Sequence, residues 1–137
     1  MGRKLNLDIV TPKRRILSED VQYVALPGVQ GELGILYGHA PLVAGLTIGV
    51  SRFGELGGKM RRAFISGGFV EVRDNRVIVL ADAAELAEEI DVVRAQAAKE
   101  RAERRLRERA ADLDFRRASS ALQRAIYRLK TAEVGKS

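Results

Sequence analysis

Four arginines carry the most specific chemical suggestion in this chain. Arg94 and Arg101 are seven residues apart and Arg124 and Arg128 four apart, so on helices each pair shares one face. Folding two helices antiparallel about residues 111–112 sets Arg94 near Arg128 and Arg101 near Arg124. The same register sets Val93 against Leu129 or its neighbours and Ala97 against Ile126. The arrangement that builds an apolar seam therefore also gathers four guanidiniums. Clustered cations repel unless an anion or carboxylates join them. A polyphosphate suits such a cluster, because guanidinium groups make planar, bidentate hydrogen bonds to phosphate oxygens. The alternative is a set of splayed arginines paired along their own helices, as Glu100 to Arg104 and Glu103 to Arg107 permit.

The other candidate sites are weaker. Gly28, Gly31 and Gly34 have the wrong spacing for a dinucleotide loop, and no strand-to-helix step surrounds them. Gly58-Lys59-Met60 ends like a phosphate loop, but Phe53 replaces its first glycine and Met60 its Ser or Thr. His39, the single histidine, sits in the turn Tyr37-Gly-His-Ala-Pro41 with no nucleophile or third group nearby in sequence. It reads as a structural or interface residue. The chain has no cysteine, which excludes disulfides, thiolate nucleophiles and Cys-based zinc sites. No metal site is expected, and binding rather than catalysis is the default.

The elements that must position the arginines follow from composition. Twelve of the 13 glycines and all three prolines precede residue 83, and 13 alanines lie from residue 83 onward. Glycine and proline punctuate turns, whereas Ala, Glu and Arg favour helix. The first part reads as eight to ten short strands, hence a β-sandwich or small barrel. Strand signals are Leu5–Val10, Val21–Leu26, Gly49–Phe53 and Arg62–Ile65. Gly68–Arg73 and Arg76–Leu80, joined by Asp74-Asn75, form a hairpin. The second part carries two helical stripes, Ile90/Val93/Ala97 and Phe115/Ala118/Leu122/Ala125/Leu129. Asp112 and Asp114 are suitable caps for a second helix, yet no Gly or Pro breaks the run, so one continuous helix stays open. A hairpin that can straighten is a two-state element. The first helix begins either at an Asp82–Glu85 capping box or after Asp91, with residues 83–87 then prolonging the sheet.

Charge argues against the obvious partner of a basic protein. The chain has 24 Lys or Arg and 18 Asp or Glu, a net charge of +6. Acidic residues are interleaved with basic ones from Glu85 to Glu108, the pattern of a solvated helix laced with ion pairs. The chain has only seven aromatics, 4 Phe and 3 Tyr, and no groove-reading motif. A basic helical nucleic-acid-binding protein is therefore the alternative reading, not the favoured one. The longest apolar run, Val77–Ala81, is far short of the roughly 20 residues a membrane helix needs. The start, Met1-Gly-Arg-Lys-Leu-Asn, has no apolar signal region, so the chain is expected to stay where it is made.

Longer motifs bring a family into view. Pro27-Gly-Val-Gln-Gly-Glu-Leu-Gly-Ile-Leu-Tyr-Gly-His-Ala-Pro-Leu42, Ser66-Gly-Gly-Phe-Val-Glu-Val72 and Val79-Leu-Ala-Asp82 closely resemble the epsilon subunit of bacterial F-type ATP synthases. The resemblance runs from about Leu5 to Leu129. It implies an N-terminal antiparallel β-sandwich (1–87) that binds the rotor, then a regulatory αα-hairpin (88–137) that can extend, and it favours the later helix start. It further implies a non-catalytic central-stalk subunit of the proton-translocating enzyme. Expected partners are the gamma subunit, the membrane ring and, when the helices extend, the alpha/beta catalytic head, where they block ATP hydrolysis. Glu32 and His39 match the family's rotor contacts. The isolated chain is expected to be a monomer, and the assembled one peripheral, on the cytoplasmic face of the bacterial membrane.

A narrower motif, Ile90-Asp-Val-Val-Arg-Ala95, is similar to the signature of epsilon subunits that bind ATP on the folded hairpin. The resemblance then implies ATP-binding roles for Glu85, Ile90, Asp91, Arg94, Ala95, Arg101, Arg124 and Arg128. ATP would be a regulatory ligand, with the accompanying magnesium left open. Arg128, close to the chain end, is expected to contribute less than the other three arginines.

Overall fold

A computed structural model describes residues 3–133; Met1 and Gly2 of the opening segment and Gly135, the thirteenth glycine, lie outside them. Eight strands come first: β1 Leu5–Val10, β2 Arg15–Val21, β3 Tyr23–Gly28, β4 Gly31–Leu36, β5 Leu42–Gly54, β6 Met60–Arg73, β7 Arg76–Ala81 and β8 Ala84–Leu86. A 3-10 turn, Ala87–Glu89, leads to helices α1 (Val92–Glu108) and α2 (Phe115–Ala132). The strands form a sandwich because β5 and β6 are long enough to serve both layers. The N-terminal part of β5 pairs with the C-terminal part of β6, which also pairs with β7, and β7 in turn with β1. The other halves of β5 and β6 carry β3 and β8 respectively.

Glycine makes this change of layer possible. β6 trades β8 for β7 as its neighbour at Gly67 and Gly68, which have φ of 72° and 114°. A Cβ on Gly68 would stand 2.1 Å from the carbonyl oxygen of Leu80, so no side chain fits there. The expected strands Arg62–Ile65 and Gly68–Arg73 are one bent strand. Gly49–Phe53 is likewise only part of β5, and β2 and β4 are strands beyond those expected. Among the described residues the pairing is antiparallel with one exception, since β1 and β7 run parallel. The antiparallel sandwich expected from the sequence is thus present, with that one parallel pair within it.

Between the layers, Leu5, Leu7 and Ile9 of β1 and Val77 and Val79 of β7 meet Val24, Leu26, Ile35, Phe53 and Ile65. All are fully buried, and each such side chain contributes about 1.5–3 kcal/mol by leaving water. The hairpin joining β6 to β7 turns at Asp74 and Asn75, with φ of 50° and 60°, as the Asp-Asn pair predicts.

The helices form a hairpin, not one rod. Arg109 adopts a left-handed conformation (φ 47°) and closes α1, its N–H bonding the carbonyl of Arg105. Asp91 and Asp114 each cap a helix by accepting the amide three residues on, both at 3.0 Å. Helix α1 thus starts after Asp91, and residues 84–86 extend the sheet as β8. Helix α2 lies on β5, β6 and the 3-10 turn, and α1 lies on α2. Among the described residues no helix is long and apolar enough to cross a membrane.

The seam between the helices differs from the expected one. Its buried residues are Ala95 and Ala102 on α1 and Ala118 and Ala125 on α2, whereas Val93 is 81% exposed and Phe115 64%. Small side chains let two helix backbones approach closely, which favours an alanine seam over a Val–Leu one. Methyl groups bury little area, so these four positions contribute less than a Val–Leu seam would.

Candidate functional site

The rotation that buries the alanines brings Arg94 and Arg101 to one side of the seam. They face Arg124 and Arg128 across a cleft of about 500 Å³, within the range of small-molecule sites. Glu85, Asp91, Ala95, Ala98, Ala121 and Ala125 complete its walls. The cleft therefore lies between both helices and the edge strand β8. Of the residues singled out from sequence, Glu85, Asp91, Arg94, Ala95, Arg101, Arg124 and Arg128 all line it. Ile90 does not; it is buried beneath, where its N–H bonds the carbonyl of Ala87 and closes the 3-10 turn.

Each acid in the cleft already has a partner. Asp91 Oδ1 takes the backbone N–H of Arg94, and Glu85 Oε1 takes Arg128 Nε at 2.5 Å. Among the described residues, Arg94, Arg101 and Arg124 form no ion pair. The splayed alternative is not what the helices do: neither Glu100–Arg104 nor Glu103–Arg107 forms, and Glu100 accepts from Gln96 instead. Four guanidiniums against two carboxylates leave two positive charges in excess, lined by alanine methyls. Such a surface takes a polyanion with an apolar part.

Arg128 is not at a frayed end. Helix α2 runs on to Ala132, Thr131 is fully buried, and the Arg128 guanidinium stands 4.5 Å from the Phe64 ring centroid. Phe64 is not among the residues expected at the site, although its alternation with inward-facing Ala63 and Ile65 marks a second packed face of β6.

Glu32 and His39 lie elsewhere, near opposite ends of β4. Glu32 Oε1 accepts from Arg52 Nη2 at 2.6 Å, and this bond raises the guanidinium pKa of Arg52. His39 Nδ1 is 2.6 Å from the carbonyl of Ala40. About 3.4 Å per residue along a strand keeps Glu32 and His39 from forming one site. Among the described residues no group of three or more His, Cys, Asp or Glu is placed to hold a metal.

Residues 4–87 match the ATP synthase delta/epsilon chain β-sandwich domain, and residues 88–133 the long α-helix domain of the same chains. The ATP synthase epsilon chain of Desulforamulus reducens is 50% identical over 133 residues, 97% of this chain and 100% of the relative. That of Symbiobacterium thermophilum is 53% identical over 129 residues, 93% of this chain and 92% of the relative. A chain in a structure of the Euglena gracilis mitochondrial ATP synthase (OSCP, F1 and c-ring) superposes with a TM-score of 0.74 at 27% identity. The match covers 96% of this chain and 81% of that one. A Tetrahymena thermophila mitochondrial ATP synthase chain, from the central stalk and c-ring, superposes at 0.61 with 18% identity, covering 96% and 98%; it shares the fold. With both domains matched in order and half the residues identical to epsilon chains over nearly the whole length, this chain belongs to the ATP synthase delta/epsilon chain family.

Proposed function

We propose that this chain is the non-catalytic epsilon subunit of a bacterial F-type ATP synthase and that it reads ATP through its helical hairpin. The sandwich joins the gamma subunit to the membrane ring, on the cytoplasmic face of the membrane. Its outer face supports this role: Phe69 and Leu80 form a cross-strand pair, 61% and 54% exposed, with Val43 on the neighbouring strand 71% exposed. Apolar side chains in such a row are expected at a protein interface. Glu32 and His39 add polar contacts toward the ring and gamma.

The observation that carries the regulatory half is the cleft itself. Arg94, Arg101, Arg124 and Arg128 come from two helices and share one cleft only when those helices are folded together. ATP in that cleft stabilises the folded hairpin, because a ligand shifts a two-state equilibrium by its differential affinity for the states. The alanine seam contributes less than a Val–Leu seam would, which leaves room for that shift to matter. When ATP is scarce the helices extend along gamma, their arginines meet acidic surface on the alpha/beta head, and hydrolysis stops.

Deleting residues 88–137 in the assembled enzyme tests this. Hydrolysis should rise most at low ATP, while coupled synthesis persists. Equal hydrolysis at every ATP concentration would remove the inhibitory role, and loss of gamma binding by the remaining sandwich would remove the rotor role.

A further inference from the structure

Phe64 is fully buried, yet it takes no part in the core between the sheets. Ala63 and Ile65 beside it face that core, so Phe64 faces the other way, toward α2. On that face it is the register partner of Glu85 on β8. Arg128 of α2 meets this pair from above. Its guanidinium stands over the Phe64 ring while its Nε donates to Glu85. One side chain of the helix is thus held by an aromatic face and a carboxylate that the sheet sets side by side.

From this juxtaposition we propose that Phe64 is a positioning residue. With Glu85 it forms the seat that latches α2 to the sandwich, and by fixing Arg128 it ties ligand binding to docking of the helix. Phe64 does not line the cleft, whereas Glu85 and Arg128 do. Its effect on a ligand must therefore pass through Arg128. The ring attracts the cation by its negative face, which an aliphatic side chain of similar bulk lacks. When α2 leaves, the ring loses its cover and is exposed to water, so undocking opposes the hydrophobic effect at this one point. The nucleotide half of the proposal rests on the reading above; the docking half does not.

The test is amide hydrogen exchange on the full chain, with and without ATP, for the wild type, Phe64→Leu, Arg128→Lys and the double variant. Phe64→Leu should speed exchange along α2 by about five- to thirtyfold, as a loosening of one to two kcal/mol does, and leave β1 and β7 unchanged. It should also weaken ATP binding about tenfold. In the Arg128→Lys background, where the planar stack is already lost, the same change should add little. Unchanged α2 exchange in Phe64→Leu, or fully additive effects in the double variant, overturns the latch. Should Phe64→Leu loosen β1 and β7 as well, Arg128→Leu carries the test: α2 must exchange faster with the sandwich untouched, or the latch is wrong. If the exchange pattern holds but the wild type binds no ATP, the latch stands and the nucleotide reading falls.

Discussion

Asp91 Oδ1 accepts the backbone N–H of Arg94 at 3.0 Å, so the acid that starts α1 also fixes the first arginine of the cleft. Two functions attributed to the Ile90–Ala95 motif are thereby joined. The cap sets where the helix begins, and the beginning sets which face Arg94 and Arg101 present.

Capping gives a clean prediction. Asp91→Ala should destabilise the helix by about 1 kcal/mol and weaken ATP binding several-fold. Asp91→Asn, an equally good cap, should restore both. Circular dichroism and calorimetric titration of the two variants check this. An asparagine variant that is helical but still binds poorly would assign Asp91 a direct contact with the nucleotide.

Magnesium should compete with the site. Glu85 is engaged by Arg128 and Asp91 by the Arg94 amide, so neither is a ready ligand for a metal ion. Mg²⁺ on the phosphates would instead neutralise the charge that the arginines recognise. ATP should therefore bind the isolated chain more tightly in chelator than in excess magnesium, measured by calorimetry. Tighter binding with magnesium would contradict this assignment of the acids.

A modest pH dependence arises where the 3-10 turn meets the sheet. Glu88 is held below the ordinary glutamate pKa by its own backbone amide and by Arg61, whose Nη2 donates to it at 2.9 Å. Arg61 also pairs with Glu19 on β2. A lowered carboxylate pKa adds stability above the ordinary value, and that contribution disappears as pH falls through the folded value. The melting temperature of Glu88→Gln should thus fall slightly below the wild type at neutral pH and converge with it as pH falls through the lowered folded-state value. Added salt should shrink the neutral-pH gap, because Glu88 is largely exposed.

The β6–β7 turn is tied to the loop bearing His39. Asn75 Oδ1 accepts the Gly38 N–H at 2.7 Å, and Asn75 itself has φ of 60°. Asn75→Ala should lower stability by about 1–2 kcal/mol through lost hydrogen bonding and left-handed strain. Asn75→Gly, free of the strain, should lose less. Thermal melts of both separate the two contributions.

How much of this was legible beforehand differs by element. The Asp74-Asn75 hairpin and the β1 alternation are local signals, and both appear where their residues predict. The change of layer in β6 was not legible, because Gly67 and Gly68 read as a strand end unless the two facing sheets are known. Parallel pairing of β1 with β7 joins residues some seventy apart, beyond any local pattern. Among the helices, the spacing of the arginines points to the cleft they line, whereas Val93 reads as core and is exposed. A β-branched residue beside a capped helix start looks like core, and only close approach through Ala95 and Ala125 shows it to be surface. Phe64 is not legible as part of the site because its partner, Arg128, lies on a helix far away in sequence.

The central claim is that these four arginines form one built site for ATP in the folded hairpin. Calorimetric titration of the full chain with ATP, run on Arg94→Ala, Arg101→Ala, Arg124→Ala and Arg128→Ala beside Arg104→Ala, tests it most directly. Arg104 is exposed and does not line the cleft. Each cleft variant should weaken binding roughly ten- to a hundredfold, since a charge-assisted hydrogen bond is worth about 1.5–3 kcal/mol. Arg128→Ala should lose at least as much as the rest, because it also frees α2. AMP should bind far more weakly than ATP, and Arg104→Ala should match the wild type. Equal losses in Arg104→Ala and Arg94→Ala would mean diffuse charge attraction, and would contradict the claim of a built site.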